Sequence, residues 1–148
     1  MSDFGIRSWR AGDYEARLGL YASEYVDSGE GKIRQLYFQN GGTFFVGLIG
    51  RRIVATGGIR RFYGARDDIG VVDRVCVVSE FQRRGFGLAM LLALERVAHQ
   101  RGYVIVCVHA TIAQVALQSF YEKNSYNEVA RVTHGIPQER IYYEKVIV

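Results

Sequence analysis

Hydrophobic positions follow two periods along this chain, and the change of period predicts its central elements. Residues 71–78 form an apolar, β-branched run that is typical of a strand buried on both faces. Residues 85–100 carry apolar side chains at helical spacing, with Gly102 as the expected C-terminal stop, and residues 104–110 form a second apolar run. A strand, a helix and a second strand predict a βαβ unit with parallel strands and a right-handed crossover.

The N-terminal pattern predicts a first strand at 3–10 and two helices after it. Asp13 is the expected N-cap of a helix at 14–26. A second short helix is predicted at 32–38, before a glycine-rich turn.

Strands and turns are predicted on both sides of the βαβ unit. Residues 43–49 and 53–62 have the pattern of a hairpin, in which Gly57 and Gly58 suggest a bulge or a close backbone approach. The C-terminal third predicts one more helix and two strands, at 113–123, 128–133 and 140–148. We therefore expect one α+β domain over residues 1–148, with a mixed central sheet that is mostly antiparallel.

The turn between the fourth strand and its helix carries candidate chemistry. Gly85 and Gly87 stand where a helix begins, and the unpaired N–H groups and macrodipole of that end attract anions. Arg83 and Arg84 add two cations there. A plain strand-to-helix turn is the alternative. The dinucleotide and P-loop patterns both fail, because Met90 stands where the first needs Gly or Ala and no Lys-Ser/Thr pair follows Gly87.

Two motifs resemble those of the GNAT superfamily of N-acetyltransferases. Residues 77–87, VVSEFQRRGFG, are similar to its motif A, V-x-P-x-[YF]-[QR]-x-x-G-x-[GA], and residues 119–126, SFYEKNSY, are similar to F-Y-E-K-x-G-F. They stand in family order, within a resemblance that covers about residues 43–130. Ser79 replaces the usual Pro. Ser125 replaces the usual Gly, so Asn124 is expected to take any left-handed conformation there.

The resemblance implies a GNAT-like fold, with a parallel β4-β5 pair flanked by helices, and acetyl-CoA as the co-substrate. In that family the pyrophosphate binds at the glycine turn, and the pantetheine arm binds backbone groups of the fourth strand where the parallel strands diverge. The implied cofactor-binding residues are Val75, Cys76, Val77, Gln82, Arg83, Arg84, Gly85, Phe86, Gly87, Leu88 and Tyr121.

Three side chains are candidates for the catalytic steps. The resemblance gives Tyr121 the position of the acid that protonates the leaving thiolate, although a purely packing or cofactor-contacting role is the alternative. Asp73 is a candidate base, because strand alternation places it on one face with Val75 and Val77; the alternative is a structural ion pair. His109 is the rival base. A base elsewhere, or water alone, also stays open.

The implied function is acetyl transfer from acetyl-CoA to a primary amine of a small molecule or a protein. The alternative is a non-catalytic acyl-CoA-binding sensor or interaction domain on the same fold. The aromatic side chains of the two N-terminal helices are candidates for an acceptor pocket or for ordinary core packing: Tyr14, Tyr21, Tyr25, Tyr37 and Phe38. Small amines, amino acids, antibiotics and protein amines all stay open as the acceptor.

Composition and charge limit the kinds of ligand and partner that we expect. The net charge of +4 and the pI of about 9.2 suit an anionic ligand, but no long basic run appears, so no nucleic-acid partner is expected. Cys76 and Cys107 are expected to be buried thiols, with a bridge between them left open, and no metal pattern is present. No apolar run approaches the length of a membrane span, which favours a cytoplasmic protein. A homodimer through the C-terminal strands is a further hypothesis.

Overall fold

The computed structural model describes residues 3–10, 12–13, 33–133 and 138–147. Within them, seven strands form one sheet in the order β1-β2-β3-β4-β5-β7-β6. The strands are β1 (Phe4–Ser8), β2 (Thr43–Ile49), β3 (Arg52–Arg61), β4 (Ile69–Val77), β5 (Ile105–Thr111), β6 (Asn127–Val132) and β7 (Arg140–Val146). Among the strands of the described residues, only β4 and β5 pair in parallel. The predicted α+β fold is thereby confirmed, together with its hairpin and its parallel pair.

Two α-helices lie in the described residues, α1 (Phe86–Gln100) and α2 (Val115–Lys123). The C-terminus of α1 is closed by Gly102 at φ +83°, whose N–H donates to His99, while the N–H of Tyr103 donates to Ala98. These two bonds form a Schellman motif, which confirms the predicted stop. At the end of α2 the expectation is wrong: Ser125 is left-handed at φ +72°, and Asn124 has φ −103°.

The predicted helix at 32–38 is a five-residue π-helical turn, Arg34–Phe38, in the described part of that range. The N–H of Gln39 donates to the carbonyl of Arg34 over 2.8 Å, which is the i→i+5 bond of a π turn. Tyr37 is fully buried in this turn. The predicted helix at 14–26 and residues 134–137, between the last two predicted strands, lie outside the described residues, as do Tyr14, Tyr21 and Tyr25.

The sheet has two differently covered faces. On one, which we call the helix face, α1 packs over β3 and β4 and shares with α2, β5 and β7 a core that includes Leu91, Leu94, Val106, Val108, Tyr121 and Tyr143. On the other, which we call the Tyr37 face, the described residues form a second core that contains Trp9, Ile33, Tyr37, Phe44, Val46 and Ile53.

Burial along β4 departs from the prediction of a strand buried on both faces. Ile69 to Val72 are buried, but Asp73 to Val77 are only half-buried. The C-terminal half of β4 has β3 on one side only, because β5 turns away from it. The prediction is therefore wrong for residues 73–77. This half-buried segment borders the candidate site described below.

Candidate functional site

The parallel ladder between β4 and β5 is only three pairs long. It joins Ile69 with Ile105, Gly70 with Val106, and Val71 with Cys107, and it ends there. Beyond that point β4 stays paired with β3, while β5 stays paired with β7. The two strands therefore diverge and leave an opening, which we call the wedge, with backbone N–H and C=O groups along its inner edges.

A β-bulge interrupts β4 at the mouth of the wedge. Thr56 pairs with Cys76, and Gly58 pairs with Asp73. One residue lies between these two pairs on β3, whereas two residues lie between them on β4. The two residues on β4 include Arg74, whose φ of +54° is left-handed, and the hydroxyl of Thr56 donates to its carbonyl over 3.0 Å. An inserted residue shifts the alternation of every later side chain by one.

The bulge separates Asp73 from Val75 and Val77. Asp73 accepts a hydrogen bond from the buried Tyr37, so it lies on the Tyr37 face. Val75 lies beside Leu94 on the helix face, since both approach the position that a Cβ would take at Gly57. The prediction that Asp73, Val75 and Val77 share one face is therefore wrong, because strand alternation does not hold across the bulge.

On the helix face, the wedge leads to the glycine turn. Arg83 has φ +63° and Gly85 has φ +85°, and α1 begins at Phe86 with no side chain capping its N–H groups. The side-chain amide of Gln82 donates to the carbonyl of Val77 over 2.9 Å and ties the turn to the end of β4. The first turn of α1 is thus held next to the wedge with donors available to an anion.

The turn also has room for a ligand. A Cβ built at Gly85 meets nothing within 4 Å, and one at Gly87 meets Val77 at 3.9 Å and Phe120 at 4.0 Å. Free donors, nearby arginines and an open glycine surface fit the pyrophosphate of acetyl-CoA. The contact with Phe120 shows that α2 lies directly across the wedge from this turn.

Aromatic side chains pack against the glycine turn; sequence reasoning predicted Phe86 as a cofactor-binding residue but missed Phe4 and Arg52. Phe86 stacks on Phe4 of β1, with ring centroids 4.2 Å apart. The guanidinium groups of Arg52 and Arg84 lie 5.3 and 5.1 Å from the ring centroid of Phe81, and Arg52 also pairs with Glu80. No local motif includes Phe4 or Arg52, because both reach the turn only through the sheet.

Tyr121 lies on the helix face and is almost fully buried, with 3% exposure. Its ring is 5.7 Å from that of Tyr126 and 5.8 Å from those of Phe120 and Tyr143. Tyr126 in turn donates to Glu95 of α1 over 2.7 Å. These contacts fix α2 against α1 and hold Tyr121 close to the part of the wedge that Phe120 covers.

His109 lies on the Tyr37 face. Its neighbours Val108 and Ala110 point into the helix-face core, so alternation places His109 on the opposite side. Asp73 and His109 each come two residues after the last ladder pair, Val71 with Cys107, and therefore stand across the wedge from each other. The structure thus brings the two candidate bases together on one face.

The pKa of His109 lies below its ordinary value. Burial is the main cause, and the positive charge of Arg140 adds to it; Asp73 works in the opposite direction, and Arg60 contributes a smaller decrease. Each cause except Asp73 disfavours the imidazolium. His109 is consequently neutral at neutral pH and able to accept a proton.

Asp73 is engaged on both of its oxygens. One accepts the Tyr37 hydroxyl at 2.7 Å, and the other forms an ion pair with Arg60 at 3.2 Å. The ion pair that was the structural alternative for Asp73 is therefore present. This arrangement anchors the π turn and the guanidinium of Arg60 at the edge of the wedge.

Both cysteines are free thiols and half-buried. Burial, with a smaller effect of Glu144, raises the pKa of Cys107 to about 11, which makes it a weak nucleophile at neutral pH. The described residues contain no group of three or more His, Cys, Asp and Glu that could hold a metal ion. In the same part of the chain no helix is both long and apolar enough to cross a membrane.

Comparison with known proteins gives one family and a consistent fold. The model of the acetyltransferase (GNAT) family matches residues 5–126. No curated protein matches the sequence. An acetyltransferase of the GNAT family from Staphylococcus aureus has 15% identity and a TM-score of 0.83, over 99% of this chain and 100% of that one.

Two further solved structures are similar in fold. The ribosomal-protein-S18-alanine N-acetyltransferase of Escherichia coli has 17% identity and a TM-score of 0.82, over 98% of this chain and 94% of that one. YncA from Salmonella typhimurium, solved with its cofactor acetyl-CoA, has 15% identity and a TM-score of 0.79, over 99% of this chain and 95% of that one. At these identities the likeness shows a shared fold and nothing further.

Proposed function

Since this chain belongs to the acetyltransferase (GNAT) family, whose common reaction is acetyl transfer from acetyl-CoA, we propose that it acetylates the nitrogen of a primary amine by direct transfer in the wedge. The proposal rests mainly on the short β4–β5 ladder, which ends at Val71 and Cys107. Because the two strands diverge there, the wedge connects the glycine turn on the helix face with the Asp73–His109 pair on the Tyr37 face.

The glycine turn holds the co-substrate in this proposal. The N–H groups at the start of α1 bind the pyrophosphate, and Gly85 and Gly87 let the backbone approach it closely. Arg83 and Arg84 add positive charge from the exposed side of the turn. Acetyl-CoA supplies the acetyl group as a thioester that an amine can attack.

The inner edge of β4 orients the reacting group. Cys76 and Val77 pair with β3 on one side only, and Val75 lies in the bulge, so backbone groups of this segment face the wedge. An N–H group there is placed to bind a carbonyl oxygen and to stabilise the negative charge that develops on it during attack. Because these donors belong to a paired strand, they need no reorganisation at the moment of reaction.

His109 is the proton acceptor that the geometry favours. Its lowered pKa keeps it neutral, and it faces the wedge without the two bonds that occupy Asp73. His109 takes the proton that the amine loses as its nitrogen bonds to the acetyl carbon. Asp73 then acts by holding Tyr37 and Arg60, and by its negative charge near the imidazolium that forms.

Tyr121 is the proposed acid on the other face. It gives its phenolic proton to the sulfur as the carbon–sulfur bond breaks, so the reaction ends with one proton on His109 and one lost from Tyr121. Solvent restores both groups between turnovers. Support for this role comes from the position of Tyr121 in the F-Y-E-K motif and from Phe120, its neighbour in α2, lying close to Gly87.

The test is a thiol-release assay with acetyl-CoA and a panel of primary amines, run on wild type and Tyr121→Phe. We expect release that depends on an amine, and a fall of roughly 10²-fold or more in kcat for the variant. A matched control is Tyr63→Phe, which removes a hydroxyl from a side chain that is 74% exposed in the segment between β3 and β4. Amine-dependent release that is equal in wild type and Tyr121→Phe would refute the acid role. Binding of acetyl-CoA without release for any amine would instead favour a binding domain without catalysis.

A further inference from the structure

The cations near His109 differ in what they already bind. Arg60 is engaged by the carboxylate of Asp73 at 3.2 Å. Arg140, at the start of β7, takes part in none of the ion pairs formed among the described residues, and its side chain is exposed. Arg140 is therefore a positive charge beside the reacting centre that a ligand can reach.

The strand register places Arg140 next to His109. Across the β5–β7 ladder His109 pairs with Tyr142, and Arg140 pairs with Thr111, two residues further along β5. On β7, Ile141 lies between Arg140 and Tyr142 and points into the helix-face core. Alternation therefore puts Arg140 and Tyr142 on the opposite face, which is the face of His109. Diagonal neighbours such as His109 and Arg140 have Cβ atoms about 7 Å apart, well within the reach of a guanidinium.

Arg140 also marks the open end of the wedge. The ladder closes at Cys107, which pairs with Glu144 on β7, whereas Arg140 lies four residues away towards the end of β5. The negative charge on β7 is thus at the closed end of the wedge, and the positive charge is at its open end, where we expect an acceptor to enter.

We propose that the acceptor is an amine that carries a carboxylate a few bonds from its nitrogen, with Arg140 binding the carboxylate while the amine faces His109. The inference rests on the proposed function. Arginine suits this task because its planar fork binds a carboxylate through two parallel bonds. A carboxylate held there also places the amine nitrogen at a fixed distance from Arg140, and so selects acceptors by the spacing of the two groups.

The distinguishing experiment compares free amino acids with their amides, at saturating acetyl-CoA. Wild type, Arg140→Gln and Arg131→Gln are assayed for kcat/KM on each pair. Arg131 is the control, because it lies on the neighbouring strand β6, opposite the core residue Ile141, and pairs with Glu128.

The measured quantity is the ratio of kcat/KM for the free acid to kcat/KM for its amide. We expect this ratio to be about 10- to 100-fold higher in wild type and Arg131→Gln than in Arg140→Gln, the size of one hydrogen-bonded charge pair. Since the same two compounds are compared in each protein, their intrinsic difference in reactivity cancels from the change in the ratio. A ratio that is unchanged in Arg140→Gln, or that falls equally in Arg131→Gln, would overturn the proposal.

A binding measurement separates this inference from the proposed function. N-acetylated amino acids and their amides are titrated against the protein with CoA present, and the imidazole signals of His109 are followed by NMR. Tighter binding of the acid that disappears in Arg140→Gln supports the carboxylate site even if no amine is acetylated. Equal binding of both compounds would overturn it in either case.

The pH titration of His109 gives a readout of proximity that requires no acceptor. The charged or titratable groups that face His109 in the described chain include Asp73 on β4, Arg60 on β3, Cys107 on its own strand, and Arg140 and Tyr142 on β7. Removing the charge of Arg140 should raise the pKa of His109, because that charge lowers it. An unchanged titration in Arg140→Gln would show that Arg140 is too far from His109 to serve the same ligand.

Discussion

The helix face and the Tyr37 face border the same wedge, but they offer a ligand different groups. The helix face presents backbone N–H groups at the start of α1, an open glycine surface and a buried tyrosine. The Tyr37 face presents charged or titratable side chains, including Asp73, His109 and Arg140. Backbone donors suit the part that all acetyl-CoA-dependent relatives share, whereas side chains suit the part that varies with the acceptor.

Loss of the base should have the largest effect on the Tyr37 face. His109→Gln is expected to lower kcat by roughly 10²-fold or more, while Asp73→Asn has a smaller effect through Tyr37 and Arg60. The affinity for acetyl-CoA should stay the same in both, because the helix face is untouched. Calorimetry and steady-state kinetics on the two variants check this. A larger kinetic loss in Asp73→Asn would assign the base to Asp73.

The direction of the pH dependence follows from the charges around His109. A base must be unprotonated, and the pKa of His109 is below its ordinary value of about 6.5, so the acidic limb of kcat/KM that His109 causes should lie below that value. Asp73 raises this pKa, so Asp73→Asn should move the acidic limb to still lower pH. A shift to higher pH in Asp73→Asn would contradict the assignment.

The two faces can be compared further by replacing one glycine on each face with alanine and measuring stability and acetyl-CoA binding. At Gly58 a new methyl group would overlap the ring of Tyr37 and lie 2.8 Å from Phe44, whereas at Gly87 its nearest neighbours are 3.9 and 4.0 Å away. We expect Gly58→Ala to cost about 1–3 kcal/mol of unfolding free energy. Gly87→Ala should leave stability close to wild type and weaken acetyl-CoA binding.

Urea unfolding monitored by circular dichroism, with calorimetric titration of acetyl-CoA, measures both effects. The protein fills the space above Gly58 with its own side chain, and leaves the space above Gly87 for a ligand. Equal losses of stability at the two sites would contradict this difference between the faces.

The smallest effect is expected at the end of α2, away from both faces of the wedge. Ser125→Gly removes a left-handed penalty of about 1–2 kcal/mol, which the greater backbone freedom of unfolded glycine offsets by about 0.5–1 kcal/mol. A net gain of roughly 0.5 kcal/mol should appear in thermal unfolding. Ser119→Gly, in the middle of α2, is the control and should lower stability. A loss at Ser125 would mean that its side chain forms a stabilising contact.

The same contrast explains what the sequence could predict. The helix face depends on local signals: apolar periodicity, the glycines at 85 and 87, and the Gly102 stop all lie within one stretch of chain. The Tyr37 face depends on pairing between distant strands. Nothing in the sequence around Arg74 indicates a left-handed residue in mid-strand, so the alternation rule placed Asp73 on the wrong face.

Arg60 and Arg140 show the same limit. Neither belongs to a motif, and each reaches the wedge only through strand register. Once the register is known, their contacts follow from alternation and side-chain length. Long-range pairing is thus the information that the candidate site needed and that single-sequence patterns lack.

The most direct test of the account is acetyl-CoA binding, measured by calorimetry on wild type, Gly87→Glu and Gln100→Glu. Both variants add one negative charge to α1, the first at the turn and the second at its far end. The account predicts that wild type and Gln100→Glu bind with similar affinity. Gly87→Glu should bind at least about 100-fold more weakly, because its carboxylate repels the pyrophosphate and fills its space. Wild-type affinity in a folded Gly87→Glu protein, or no binding by wild type, would contradict the account.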